Sequence, residues 1–167
     1  KIAAPACDRL PCIDFGIEEG NPFQVGGISL QPLHTPGHTD GHFAYLFGDR
    51  VFTGDALLID GCGRTDFQNG DADALFKSVR EKLFCLPDDV LVYPAHDYKG
   101  RHVSSIAQER KCNSRLGVER TLEEFRSIMA NLNLPYPSFI DYAVPGNSSA
   151  AFVRATCLRI LTSTAGK

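Results

Sequence analysis

The chain has 167 residues, a length that fits one domain with a sizeable core, and two independent domains are not expected. With 43% hydrophobic residues, 22% charged residues and a formal net charge of −3, it reads as a soluble globular protein. That balance speaks against a disordered chain and against a nucleic-acid partner, which would call for net basic charge. The longest apolar run, residues 90–95 with Pro94 inside, is far short of the ~20 residues that cross a bilayer, so no membrane partner is expected either. Lys1 opens the sequence, the single methionine is Met129 and no targeting pattern follows Lys1, so a piece of a longer protein is expected. Six cysteines (Cys7, Cys12, Cys62, Cys85, Cys112, Cys157) form no C-x₂-C pair, and a reducing compartment suits them best.

Taken in chain order, residues 1–22 are rich in turn formers and carry a short strand around 12–15. Residues 28–35, 43–47 and 51–53 alternate or are β-branched and aromatic, with a Gly48-Asp49 turn between the last two, and read as successive antiparallel strands. A polar, glycine-studded stretch follows Gly54. Leu75, Val79 and Leu83 then recur at helical spacing behind Asp71 as a cap. Residues 90–93 form a continuous apolar run ended by Pro94, as expected of a strand buried on both faces. A helix is expected over 103–111. A further helix opens on the capping box Thr121/Glu124, with Leu122, Phe125, Met129 and Leu132 on one face. The fold class is α/β in the broad α+β sense, and residues 147–167 form a tail of unassigned role with a helical reading open over 150–161.

The chemistry concentrates between His34 and Tyr98, where short polar motifs end strand-like segments. His34, His38 and His42 are spaced four residues apart, but Pro36-Gly37 forbids the helix that would align them; a tight turn instead holds His38 outward. Asp55 follows Thr53-Gly54 at the end of one apolar strand and is flanked by Ala56-Leu57-Leu58, so it must find a cation, a metal or several N–H donors. His96-Asp97 stands at the end of another strand. Two imidazoles and one carboxylate are the ligand set of ferrous facial-triad sites, and the same donors bind zinc; spacing does not choose between them.

Thr35-Pro36-Gly37-His38-Thr39, then Thr53-Gly54-Asp55, then Tyr93-Pro94-Ala95-His96 resemble the metallo-β-lactamase superfamily in order and spacing. Gly54 to Ile59, Gly61-Cys62-Gly63-Arg64-Thr65-Asp66-Phe67, Pro94 to Tyr98 and Asn131 to Pro135 resemble, within it, the persulfide dioxygenases, over about residues 10–146. The resemblance implies an αββα sandwich, incomplete at its N-terminus, with residues 1–146 its latter portion. It also implies mononuclear Fe²⁺, and glutathione persulfide and O₂ as the molecules acted upon, giving sulfite and glutathione. His38 and Asp55 would be two of three iron ligands, and His96 would stand beside the metal rather than on it. Arg64, Tyr98, Lys99 and Arg101 are the candidates for holding glutathione; Lys99 and Arg101 read more readily as solvated loop residues, and Cys62 as a small packed residue.

The superfamily's H-x-H-x-D-H loop, source of the remaining histidine, occurs nowhere in residues 1–167. The third ligand is therefore expected upstream of Lys1, supplied by the N-terminal fragment of the same protein or by another copy. The localisation implied is cytoplasmic, or the mitochondrial matrix in a eukaryote. Two alternatives stay open: a hydroxyacylglutathione hydrolase of the glyoxalase II kind, which would use Zn, and a non-catalytic module of the same fold. Ala56, Thr65-Asp66 and Asp97-Tyr98 favour the dioxygenase over the hydrolase.

Overall fold

The computed structural model describes residues 1–11 and 13–149, and the side chains up to residue 146. The helical reading over 150–161 lies outside the described residues. The chain divides into two units, one made of residues 1–17 with 134–167 and the other of residues 18–133. In the first, β1 (Ala3–Pro5) and β2 (Phe15–Ile17) pair in parallel around a 3₁₀ turn at Ala6–Asp8, and α4 spans Ile140–Ser149 with Pro145 inside it. The strand expected at 12–15 thus begins at Phe15, and Cys12 is outside the described residues.

The second unit is a six-stranded sheet with helices on one face, its strands in the order β3 (Phe23–Val25), β4 (Ile28–His34), β5 (Phe43–Phe47), β6 (Arg50–Gly54), β7 (Leu91–Pro94), β8 (Ser104–Ser105). Neighbours are antiparallel except β6 and β7, which run parallel. The alternation in 28–34 and the Gly48-Asp49 turn give β4, β5 and β6 as expected. Between β6 and β7 the chain forms α1 (Ala72–Ser78), which runs on as a π-helical turn over Val79–Leu83. The Asp71 carboxylate caps α1 by accepting from the Ala74 N–H at 2.8 Å.

The helix expected at 103–111 starts later. Residues Ser104–Ser105 are taken by the edge strand β8, whose Ser105 then caps α2 (Ile106–Cys112). The capping box of Thr121 and Glu124 forms and opens α3 (Leu122–Ala130); Leu132 lies past its end.

Ala44, Val51 and Val92 from the sheet, Leu75, Val79 and Leu83 from α1 and its extension, Ile106 from α2, Leu116 from the connection that follows it and Phe125 from α3 make one core, each fully buried. At ~1.5–3 kcal/mol for each large side chain removed from water, this layer supplies most of the drive for the fold. The expectation that 90–93 is buried on both faces is corrected: Val92 is in the core, while Leu91 and Tyr93 point the other way and are only half-buried. Phe52, register partner of both Tyr45 and Tyr93, is 41% exposed on that second face. No helix among the described residues is long and apolar enough to cross a membrane.

Candidate metal centre

Three turns at strand ends carry the candidate ligands. The turn from β4 to β5 is closed at its base by the Thr35 N–H donating to the His42 carbonyl at 2.9 Å. Gly37, at φ +135°, lies so close to α1 that a Cβ there would be 2.3 Å from the Leu75 backbone. Only glycine fits, and the contact fixes where His38 stands. β6 slips register against β7 between Phe52 and Gly54, just ahead of Asp55. Gly63 then crosses back over the site, its N–H donating to the Asp55 carbonyl at 2.7 Å. A Cβ on Gly63 would meet that carbonyl oxygen at 2.6 Å and His38 Nδ1 at 3.0 Å.

These turns bring the three predicted residues together. His38 Nε2 lies 3.4 Å from Asp55 Oδ2, and His96 Nδ1 lies 2.7 Å from Asp55 Oδ1. His38 Nδ1 is 2.7 Å from the carbonyl oxygen of Arg64, which can only accept, so Nδ1 carries the proton. In the neutral ring Nε2 is therefore a bare lone pair facing a carboxylate oxygen, two acceptors with no hydrogen between them. A cation is what such a pair fits, and imidazole nitrogen with carboxylate oxygen is a donor set for iron or zinc. The carbonyl bond on the far side of the ring is the orienting contact that metal-binding histidines ordinarily have. Among the described residues no group of three or more His, Cys, Asp or Glu side chains is arranged to hold a metal.

The other two histidines of the first motif go elsewhere. His34 Nε2 is hydrogen-bonded to the Asp40 carbonyl at 2.9 Å and its ring lies against Phe43. His42 is mostly buried, with Nδ1 2.8 Å from the Thr35 hydroxyl. Burial first, and then the neighbouring His38, pull its pKa down to about 4. Cys62 is a packed residue as expected: its thiol donates to Met129 Sδ at 3.7 Å and burial pushes its pKa up to about 11.

The four residues expected to hold substrate are differently engaged. Arg64 gives Nε and Nη2 to the two carboxylate oxygens of Asp66 at 2.6 and 2.7 Å and lies over the Phe67 ring. Arg101 gives Nε and Nη2 to Asp97 at 3.1 and 2.7 Å and reaches the Ile59 carbonyl at 2.9 Å, so it links the His96 turn to the Asp55 turn. This is a structural tie rather than a solvated loop side chain. Lys99 Nζ stands 3.8 Å from Asp60 Oδ2. Tyr98 is 87% exposed and stacks parallel on His96, centroids 6.2 Å apart.

Sequence reasoning missed Glu109 and Asn113. Glu109 is 1% exposed on α2 and accepts from the Asp60 N–H and the Asn113 amide, each at 2.8 Å, and from the Ser104 hydroxyl at 2.5 Å. Asn113 passes the tie on to the Gly61 carbonyl at 3.0 Å. Together they pin the loop that leaves Asp55. The available signal was a carboxylate at helical spacing from the apolar Ile106, which puts it on the core face.

The sequence matches the metallo-beta-lactamase superfamily over residues 9–96. It is 52% identical over 136 residues to the mitochondrial persulfide dioxygenase ETHE1 of Homo sapiens, covering 80% of this chain and 53% of the human protein. It is 38% identical over 98 residues to the hydroxyacylglutathione hydrolase GloC of Haemophilus influenzae, covering 58% of this chain and 44% of that protein. The crystal structure of ETHE1 from Myxococcus xanthus superposes with a TM-score of 0.84 at 51% identity, covering 89% of this chain and 65% of that one. The chain spans about half the length of the curated relatives it matches. With its matched region taking in His38, Asp55 and His96, the chain belongs to the metallo-beta-lactamase superfamily and, within it, is similar to the persulfide dioxygenases.

Proposed function

We propose that this chain supplies two metal ligands, His38 and Asp55, to an enzyme that oxidises glutathione persulfide with O₂ to sulfite and glutathione on a single Fe²⁺. Membership of the superfamily implies a metal cofactor, and iron in particular follows the likeness to persulfide dioxygenases. The observation that carries the reading is the Asp55 carboxylate held between Nε2 of His38, 3.4 Å from Oδ2, and Nδ1 of His96, 2.7 Å from Oδ1. The third ligand is a histidine from a segment outside these 167 residues, since the H-x-H-x-D-H pattern is not among them. That segment belongs to the same protein or to another copy.

The chemistry that ferrous iron supplies when bound is activation of dioxygen for transfer to sulfur. The overall reaction consumes one water as well as O₂, because sulfite has three oxygens. The residues of this chain hold and orient. The Arg64 carbonyl fixes the His38 ring, and the His96 Nδ1–H steadies Asp55 by donating to Oδ1, which leaves Oδ2 for the metal. Tyr98 and Lys99, at the rim, offer a hydroxyl and an ammonium to the carboxylates and peptide groups of glutathione. Arg64 serves the same end by exchanging Asp66 for a substrate carboxylate, an exchange of like partners. Arg101 contributes through the turn it ties rather than by direct grip. The mitochondrial matrix, or the cytoplasm of a bacterium, is the compartment that suits this activity.

The test combines this chain with the H-x-H-x-D-H segment and follows oxygen uptake with glutathione persulfide, against thioester hydrolysis of lactoylglutathione. Uptake with sulfite release supports the dioxygenase. Hydrolysis with background uptake puts the glyoxalase II reading in its place, and neither activity leaves a non-catalytic module.

A further inference from the structure

We infer that the cleft bounded by α1 and its π-helical extension, α2 and the start of α3 binds a small organic monoanion, a carboxylate carried on an apolar body. The cleft has a volume of about 630 Å³, within the ~300–1,000 Å³ usual for small-molecule sites. Phe76, Phe84 and Leu122 give it apolar walls, and Arg80, Arg110 and Arg120 line it with three guanidinium groups. None of these residues belongs to the His38 and Asp55 centre, so the proposal stands or falls apart from the metal reading.

The charges do not balance. Arg110 Nη1 pairs with Asp88 at 2.6 Å, and Arg120 Nη1 stands 3.8 Å from Glu124. Arg80 has no carboxylate partner among the described residues. Its Nη2 donates to the Gly117 and Arg120 carbonyls at 2.8 and 2.6 Å, and its guanidinium lies over the Phe76 ring at 4.8 Å. Neutral dipoles and a ring face hold this cation where proteins ordinarily place a counter-ion. Burial alone pulls the Arg80 pKa below its ordinary value, with no acidic neighbour to raise it.

The Nε groups of Arg80 and Arg110 are both buried with no hydrogen-bond acceptor among the described residues. Unmatched buried donors are rare enough in folded proteins to need a reason, and these two, themselves closed to solvent, belong to arginines that line the cleft, where acceptors are scarce. One uncompensated positive charge selects a monoanion. Three apolar walls select a ligand with a hydrocarbon or aromatic body over a bare inorganic ion. Carboxylate is the anion that unites both demands and matches guanidinium geometry.

The experiment titrates this chain with benzoate, benzamide and inorganic phosphate while recording arginine Nε–H resonances by ¹⁵N NMR. Benzoate is expected to shift the Arg80 and Arg110 signals saturably, and benzamide, its neutral isostere, is not. Phosphate is expected to bind more weakly than benzoate. Arg80→Gln should weaken benzoate about tenfold or more, the effect of losing a charge-assisted contact. Val118→Trp keeps every arginine but fills the cleft that Val118 lines, and it should abolish the shifts even if the Arg80 variant does not fold. Arg126→Gln, whose partner is Asp73 outside the cleft, should leave binding unchanged. No saturable shift with benzoate, equal response to benzamide, phosphate binding as tightly as benzoate, or full binding by folded Arg80→Gln or Val118→Trp would each overturn the proposal.

Discussion

Two turns flank Asp55 and are held in opposite ways. The turn over residues 55–63 is pinned from below by buried bonds: Thr53 to the Leu57 carbonyl at 2.6 Å, Glu109 to the Asp60 N–H, Asn113 to the Gly61 carbonyl, and Gly63 folded back on Asp55. The turn over residues 96–101 lies at the surface, with His96, Tyr98, Lys99 and Gly100 exposed, and is tied chiefly by the Asp97–Arg101 ion pair. A metal ligand tolerates little displacement, whereas a group that meets a flexible peptide gains from some freedom. The rigid turn carries the carboxylate proposed for the metal, and the looser one carries the side chains proposed for substrate.

The contrast breaks most visibly at Glu109. Glu109→Ala strands the Asp60 N–H, the Asn113 amide and the Ser104 hydroxyl in the interior, and should cost about 3–5 kcal/mol in urea unfolding. A loss below ~1 kcal/mol would mean the turn is not pinned there.

A second test uses acid. His42, beneath the pinned turn, has a folded pKa near 4 against an ordinary 6.5. Between those values the unfolded chain holds a proton that the folded chain does not. Stability from this group is therefore complete above about pH 6.5 and falls as the pH drops toward 4, by up to about 3 kcal/mol. Unfolding measured across this window should be visibly less pH-dependent in His42→Gln.

Gly63→Ala places a methyl against the Asp55 carbonyl and His38 Nδ1, and should cost about 1–3 kcal/mol in thermal or urea unfolding. It should also lower metal affinity, because the added group presses on both proposed ligands. The smallest effect falls on the loose turn. Arg101 holds the folded pKa of Asp97 down to about 2, so the pair's contribution is present above pH ~4 and fades as the pH falls toward 2. Asp97→Asn keeps an acceptor oxygen for the Lys99 and Arg101 N–H groups in a side chain that is only 6% exposed, so it should lower the melting temperature modestly at neutral pH while raising the KM for persulfide in the proposed reaction. A large drop in melting temperature would erase the distinction between the two turns.

Much of this was legible in the residues. The strands β4, β5 and β6 followed from alternation and a turn dipeptide, α1 and α3 from their caps, and the place of His38 from a proline-glycine pair that no helix accepts. What stayed hidden depends on neighbours distant in sequence. β3 is three residues between Pro22 and Gly26, too short to show a period, and becomes a strand by pairing with β4. β8 is two serines that read as part of the first turn of a helix until β7 pairs with them. Spacing from Ile106 puts Glu109 on the core face, but its partners Asp60 and Asn113 show only once the Asp55 loop descends on it. The fates of Arg64 and Arg101 were equally unreadable, since Asp66 and Asp97 could as well have faced solvent.

The most direct test of the central claim is elemental iron analysis of protein that joins this chain to the H-x-H-x-D-H segment, loaded with Fe²⁺ under anaerobic conditions. The account predicts stoichiometric iron in the parent and in His96→Ala, and loss of that iron in both His38→Ala and Asp55→Asn. Full iron in either of the last two variants would contradict it.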